Sequence, residues 1–303
     1  MAFLLFSALF ALTCTEKLSS KKLQTSAAFD LPQILMANVV NAFVGVVYYL
    51  AIGVPLHFEL KMELFSGIYG VVGFAGLILA IIQYRHMSIP LAAIIATSAS
   101  IVGSSLFGYV ILDERVTIYR LIAAVAVMAA VVLPALESLR GKSRMKKSDL
   151  IFCAFYFVFL LVVNILCAVF AAFPDMDGRE YYLHVNIYLL VVSAIFGAYL
   201  LCVKNHTFKS IVTSLGFSQS GLLGVRSGIN QTMNLCTIAL LAIVPVTSYN
   251  IINCSLAMIA SVAVAKICYR EKLTLSPPGS HSLLCGPCRL PTEPCPRDRL
   301  RRR

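Results

Sequence analysis

Residues 92–133 read AAIIATSASIVGSSLFGYVILDERVTIYRLIAAVAVMAAVVL, and the layout of the chain follows from them. A long apolar helix is expected first, then the charged turn Leu112-Asp113-Glu114-Arg115-Val116-Thr117, then a second apolar helix. Ala92, Ala96, Ser100, Ser104 and Gly108 recur at every fourth position before the turn. Small side chains at that spacing share one helix face and let two backbones approach closely in lipid. The same design returns in the second half. There Asn253, Ala257, Ser261 and Ala265 form the stripe, and Tyr269-Arg270-Glu271-Lys272-Leu273-Thr274 forms the turn. A helix-turn pattern met twice signals internal duplication.

Composition places both hairpins in a membrane. The chain is 59% hydrophobic and 13% charged, with a mean hydropathy of +0.85. A soluble domain is nearer half apolar and about a quarter charged. The apolar runs approach the roughly 20 residues needed to cross a hydrocarbon core. They are continuous, unlike the ten-residue alternation of a transmembrane barrel. The net charge of +11 does not mark a nucleic-acid binder, because the basic residues sit in short loops and in the C-terminal tail. Cys14, Cys153, Cys167, Cys202, Cys236, Cys254 and Cys268 lie in or at the ends of apolar segments, where cysteine acts as a small hydrophobe.

The expected fold is all-α and polytopic, with nine transmembrane helices at about 2–20, 32–54, 64–84, 88–111, 117–138, 149–173, 183–203, 218–242 and 246–269. They divide into a first repeat with its basic linker over 1–147, a four-helix second repeat over 148–275, and a Pro-, Cys- and Arg-rich tail over 276–303. Gly67 and Gly70 in the third span align with Gly221 and Gly224 in the eighth, and both glycine rows are expected to serve close helix packing. Lys and Arg concentrate in the loops after spans 1, 3, 5 and 7, most densely at Arg140, Lys142, Arg144, Lys146 and Lys147. That bias puts the 139–148 loop in the cytoplasm and the N-terminus outside. With five spans per repeat the two halves enter the membrane in opposite senses, an inverted-repeat design used by carriers.

The residues from Gly108 through Thr117, followed by the apolar run ending Val131-Val132-Leu133, resemble the end of an EamA-type repeat of the drug/metabolite transporter superfamily, whose fold the nucleotide-sugar transporters share. Tyr269 to Thr274 resembles the same signature in a second repeat, and Asn234 through Pro245 to Asn253 resembles the eighth and ninth helices of bacterial members. The resemblance implies a ten-helix inverted-repeat carrier for small metabolites. In it helices 1, 3, 4, 6, 8 and 9 would surround a central cavity, with helices 5 and 10 peripheral. Members keep both termini in the cytoplasm, whereas the charge count here favours an outside N-terminus. After Thr274, where a tenth helix should follow, comes Ser276-Pro277-Pro278-Gly279 and a tail ending Arg299-Leu300-Arg301-Arg302-Arg303. The second repeat is therefore expected to be truncated.

Polar groups inside spans are costly and point to function. Arg226, Asn230 and Asn234 share one face of the eighth span, with Gln231 and Thr237 nearby. An arginine there could hold a carboxylate or phosphate through two hydrogen bonds, or instead extend to the interface. Asn164 in the sixth span and Gln83 at the end of the third are further substrate-binding candidates, and Glu16 with Lys17 form either a gating or coupling pair or an interfacial ion pair. Asn38, Asn41, Asn250 and Asn253 are read as glue between helices, and Glu114 and Glu271 as helix caps or interfacial anchors. His281, Cys285, Cys288 and Cys295 fit no familiar zinc spacing. No phosphate loop, HExxH or nucleophile-base pairing occurs, so neither an enzyme nor a cofactor is expected. The expected partners are membrane lipid and a small substrate (amino acid, nucleoside or sugar derivative), with a homodimer compatible and nucleic acid excluded. The functional expectation is an integral, multi-pass secondary transporter working by alternating access between its two repeats. The alternative is a truncated, non-transporting membrane protein that only binds or assembles with a partner.

Overall fold

The computed structural model describes residues 1–24, 31–86, 89–115, 117–119, 121–122, 124–126, 129, 147–173, 175–204 and 207–267. These residues are all-helical, with no strand among them. The elements are α1 (Ala2–Gln24), α2 (Leu31–Ala51), α3 (Leu60–His86), α4 (Ile89–Leu106), α5 (Lys147–Ala168), α6 (Gly178–Cys202), α7 (Phe208–Val212), α8 (Phe217–Leu241) and α9 (Val246–Ile267). A π-helical turn, Phe107–Ile111, extends α4, and a 3₁₀ turn, Val169–Ala172, extends α5. Most of the expected fifth span, the second hairpin turn from Tyr269 and the tail lie outside the described residues, as does the backbone at Asn205 and His206.

Among the described residues, three segments are long and apolar enough to cross a membrane: Leu31–Ala51, Ile151–Ala172 and Gly178–Cys202. Their outward faces agree with that role. Phe43, Val47 and Leu50 on α2, Ile151, Phe155, Val158 and Val162 on α5, and Val191, Ile195 and Tyr199 on α6 are all exposed. Large apolar residues three and four apart on an outer surface suit lipid, where a water-facing helix would carry charge.

Two helices begin earlier than hydropathy indicates, and for α6 the cause is capping. α6 starts at Gly178 because the Asp177 carboxylate accepts a hydrogen bond from the Arg179 amide at 2.8 Å. Glu180 then places negative charge in the first turn, where the helix dipole favours it. Burial alone would raise the Asp177 carboxyl, but hydrogen bonds and positive charge from Arg179 outweigh it and hold the group below the usual carboxylate range. α3 likewise starts at Leu60, with Glu63 in its first turn. The unanticipated α7 is a single turn capped by Thr207, whose hydroxyl accepts from the Ser210 amide at 3.2 Å.

Polar atoms within the helices are satisfied mostly by their own backbone, as a membrane demands. Thr13, Ser66, Ser104, Thr237 and Ser255 each donate to the carbonyl one turn earlier. The open C-terminal carbonyls of α5 are met from α6, where Tyr181 Oη donates to Leu166 O at 2.8 Å and Tyr182 Oη to Cys167 O at 2.9 Å. These tyrosines anchor the largest apolar cluster, together with Tyr49, Phe107, Phe170 and Leu183.

The first hairpin turn closes with unusual geometry. Leu112 N donates to Phe107 O, Glu114 N donates to Gly108 O at 2.9 Å, and Asp113 takes the left-handed conformation at φ 51°. Aspartate tolerates that region better than most residues, so the turn sequence matches its backbone. The small stripe leading into it brings α4 against α9. Ile101 packs with Ile251, and a side chain at Gly108 would meet Thr247 Oγ1 at 2.5 Å.

Helix neighbours follow a regular scheme. α1 packs on α8 and α9, α2 on α6 and α8, α3 on α5 and α6, and α4 on α5 and α9. Exchanging α1, α2, α3 and α4 with α5, α6, α8 and α9 maps this set onto itself. Residue pairings fix the directions. Gly45 approaches Asn186 and Gly197 approaches Leu35, so α2 and α6 are antiparallel. Ile101 with Ile251 and Gly108 with Thr247 make α4 and α9 antiparallel as well.

Candidate functional site

The scheme leaves a polar space between α1, α2, α3, α6 and α8. Two adjoining cavities, of about 150 and 260 Å³, share Asn38, Asn41 and Asn230 in their walls. The smaller is completed by Glu16 from α1 and by Arg226 and Ser227 from α8. The larger is walled by Tyr69, Gly70 and Gly73 from α3, Tyr182 and Asn186 from α6, and Gln231 and Asn234 from α8.

The periodicity of α8 brings its polar residues to this space. Arg226 donates to Glu16 Oε1 from Nη2 at 3.1 Å and from Nε at 3.3 Å, tying α8 to α1. The Arg226 side chain is 39% exposed and that of Glu16 15%. One turn and two turns on, Asn230 and Asn234 face the same space. Asn234 Nδ2 donates to Gln231 Oε1 at 3.3 Å, and Gln231 Nε2 donates to Asn186 Oδ1 at 3.4 Å, giving an amide chain from α8 to α6. Asn38 Nδ2 is buried without a hydrogen-bond partner among the described residues. A buried unpaired amide is expensive to a fold, and this one sits in the cavity wall.

Of the residues expected from sequence, Arg226, Asn230, Asn234 and Glu16 come together here. Asn164 does not. It lies on α5 against Gly103, and its Nδ2 donates to Leu160 O of its own helix at 2.7 Å. The side chains of Lys17 and Gln83 lie outside the described residues. The lining helices also differ from the arrangement that the EamA-type resemblance implies. The second and seventh spans, α2 and α6, contribute wall residues, whereas the fourth, sixth and ninth spans give none to either cavity among the described residues.

Two further readings need correction. Asn38 and Asn41, expected as glue, line the cavity, whereas Asn250 donates only to the carbonyl of Val246 in its own helix among its described bonds. The glycine rows serve different ends. A side chain at Gly70 would come 2.7 Å from Tyr188 Cβ, so α3 needs glycine there to approach α6. Nothing among the described residues lies within 4 Å of a side chain built at Gly221, Gly224 or Gly228. Asn186 went unremarked in the sequence, although the run Tyr181-Tyr182-Leu183-His184-Val185-Asn186 carries a polar residue at every second or third place inside a helix.

A second polar cluster joins α3 and α6 beyond the cavity. His184 Nδ1 lies 2.7 Å from Glu63 Oε1, and Tyr188 Oη donates to Glu63 Oε2 at 2.5 Å. No group of three or more histidine, cysteine, aspartate or glutamate side chains suited to a metal ion occurs among the described residues.

With this geometry in place, comparison with known proteins yields a fold and nothing more specific. No family model and no curated protein matches the chain. A solved structure described as "Crystal structure of protein" is similar, with a TM-score of 0.50 and 16% identity over 86% of this chain and 98% of that one. At that identity the likeness concerns the helical fold alone.

Proposed function

We propose that this protein is a multi-pass secondary transporter of a small polar metabolite, built from two inverted repeats and working by alternating access through the cavity between them. The observation that carries this reading is the polar space walled by helices from both halves and bridged by the Glu16–Arg226 pair. A carrier must bind its cargo between two bodies that move against one another, and each face of this space belongs to a different half. The self-consistent exchange of helix contacts, with α2 antiparallel to α6 and α4 antiparallel to α9, supports inverted repeats. A two-fold axis lying in the membrane plane reverses each helix relative to its mate, whereas an axis along the normal would leave them parallel.

The wall chemistry supports a guest that is small and rich in hydrogen-bonding groups. Amides offer donors and acceptors alike, the guanidinium suits an anionic group, and the carboxylate suits a cationic one. A volume of about 260 Å³ lies below the roughly 300–1,000 Å³ typical of drug-sized pockets.

Uptake by the purified full chain in proteoliposomes tests the reading. A panel of radiolabelled amino acids, nucleosides and sugar derivatives should contain at least one compound that exchanges across the vesicle wall, and Arg226→Ala should strongly reduce that exchange. If none of the panel moves, the carrier reading gives way to a membrane protein that binds or assembles without transporting.

A further inference from the structure

The larger cavity has two walls of opposite character. α2 and α8 give it Asn38, Asn41, Asn230, Gln231 and Asn234, so that side is made of carboxamides alone. α3 and α6 give it Tyr69, Tyr182, Val185, Leu189, Asn186 and a strip of glycines at every third position of α3. Both tyrosine hydroxyls are engaged. That of Tyr69 is hydrogen-bonded to Cys167 Sγ at 2.7 Å, and that of Tyr182 donates to Cys167 O at 2.9 Å. Asn186 is engaged as well, donating to Tyr182 O at 2.7 Å and accepting from Gln231. The α3–α6 side therefore presents ring carbon, aliphatic carbon and bare backbone. On the opposite side Asn38, only 4% exposed, keeps a buried Nδ2 with no partner among the described residues.

Packing explains two of the three glycines in the strip. A side chain at Gly70 would strike Tyr188 Cβ, and one at Gly76 would touch the Phe159 ring at 3.4 Å. Gly73 has no such reason. A side chain built there meets nothing within 4 Å among the described residues. Nor does Gly73 face lipid. Leu64, Ile68 and Val71 carry the exposed face of α3, and Gly73 sits about half a turn round from them. Glycine inside a helix is less stable than alanine, so local structure does not call for it. The missing side chain leaves this part of the cavity free.

These walls select a guest by shape and charge. No aspartate, glutamate, lysine, arginine or histidine lines the larger cavity among the described residues. An ionised group placed there would lose its water and gain no counterion. A sugar ring is puckered and carries hydroxyls around its whole rim, so those turned to the α3–α6 side would go unpaired. A heteroaromatic ring has two apolar faces and gathers its donors and acceptors along an edge. Carbon and bare backbone suit the face, as aromatic side chains do for stacked bases. Carboxamides suit the edge, because each sets a donor beside an acceptor, the pairing that asparagine and glutamine make with nucleobases.

We infer that the larger cavity holds a flat, uncharged heteroaromatic ring of the nucleobase type, its face on the strip centred on Gly73 and its edge on the amides of α2 and α8. The carrier reading gives this site its purpose, but binding tests it separately from transport. In lipid nanodiscs the full chain should bind at least one of radiolabelled adenosine, guanosine, cytidine and uridine. The matching free base should displace it, whereas ribose and alanine should not. A base N-methylated along its edge should displace it more weakly, by on the order of tenfold or more. Gly73→Leu should weaken binding to a similar degree while leaving the unfolding temperature within a few degrees, and Gly73→Ala should weaken it less. Gly224→Leu, which also enters open space but lies outside both cavities, should leave binding unchanged. If Gly73→Leu fails to fold, Gly73→Ala and Asn230→Leu decide, and both should bind less. If no nucleoside or base binds, or if binding ignores both Gly73 and the ring edge, the inference is overturned, while exchange of ribose or alanine in proteoliposomes would still uphold the carrier reading. If binding follows the expected pattern and nothing exchanges, the ring site holds and the carrier reading falls.

Discussion

Glu114 caps a helix in the other half of the molecule: its Oε1 accepts a hydrogen bond from the Val246 amide at 2.6 Å and its Oε2 one from the Thr247 amide at 3.3 Å. The turn of the first hairpin thus supplies the negative charge that the positive N-terminus of α9 favours, and it does so in the absence of an acidic residue in the first turn of α9. Glu114→Ala should lower stability by about 1–2 kcal/mol, and Glu114→Gln by less, because the amide oxygen still accepts. Thermal unfolding in detergent measures both, and equal losses would show that charge is not what the cap provides.

Gly108 sits where the same two helices come closest. Gly108→Ala places a methyl 2.5 Å from Thr247 Oγ1 and 3.1 Å from the Glu114 carboxylate. The overpacking should cost roughly 1–3 kcal/mol. Thr247 Oγ1 is itself buried without a hydrogen-bond partner among the described residues, so Thr247→Ala should cost little alone. The double variant Gly108→Ala/Thr247→Ala should recover part of the loss, and strict additivity of the two changes would argue against the contact.

The ion pair between Glu16 and Arg226 should matter to transport more than to folding. Both side chains are partly exposed, and partly exposed pairs contribute about 0–1 kcal/mol to stability. Arg226→Ala should therefore leave the unfolding temperature within a few degrees while reducing exchange at least tenfold, a loss of about 1.4 kcal/mol in guest stabilisation. Arg226→Lys, which keeps charge but not the planar fork, should fall between.

Two asparagines should respond in opposite ways. Asn38 lines the cavity and carries a buried, unpaired donor, so Asn38→Leu should be neutral or mildly stabilising to the fold and damaging to substrate affinity. Asn164 donates to its own helix outside the cavity, and Asn164→Ala should leave the apparent affinity unchanged. A reversed outcome in binding assays would place the guest somewhere other than the space between α2 and α8.

The Asp177 cap should give α6 an acid-sensitive start. Its carboxyl is held below the usual range in the folded chain, so its contribution is fully present above the unfolded value near about pH 4 and is lost as pH falls through the lower folded value. Asp177→Asn, which keeps the capping oxygen, should remove that acid response. Hydrogen exchange over residues 178–184, followed down through the acid range, measures it.

Periodicity made part of the site legible. Arg226, Asn230 and Asn234 fall on one helix face by spacing alone, because a helix fixes its own angular order whatever surrounds it. The small stripe running into Gly108 likewise announced a close helix contact, and α9 provides it. Asn164 looked equally functional in one dimension. Only its neighbours show that its polar group turns back onto Leu160 O. Hydropathy also could not find the starts of α3 and α6, since charged and aromatic first turns dilute the apolar signal while Glu63 in the first turn of α3 and the Asp177 cap of α6 favour helix there.

By itself the sequence determined that this is a helical membrane chain, because apolar runs with few charges have no other stable home and every backbone group must be paired within its own segment. It also determined which residues share a face within each helix. Which faces meet was decided by the tertiary structure, since close approach in lipid depends on the shapes of two partners and not on one pattern. Glu16 finds Arg226, Asn38 joins Asn230, and Glu63 meets His184 only because α1 lies on α8, α2 between α6 and α8, and α3 on α6.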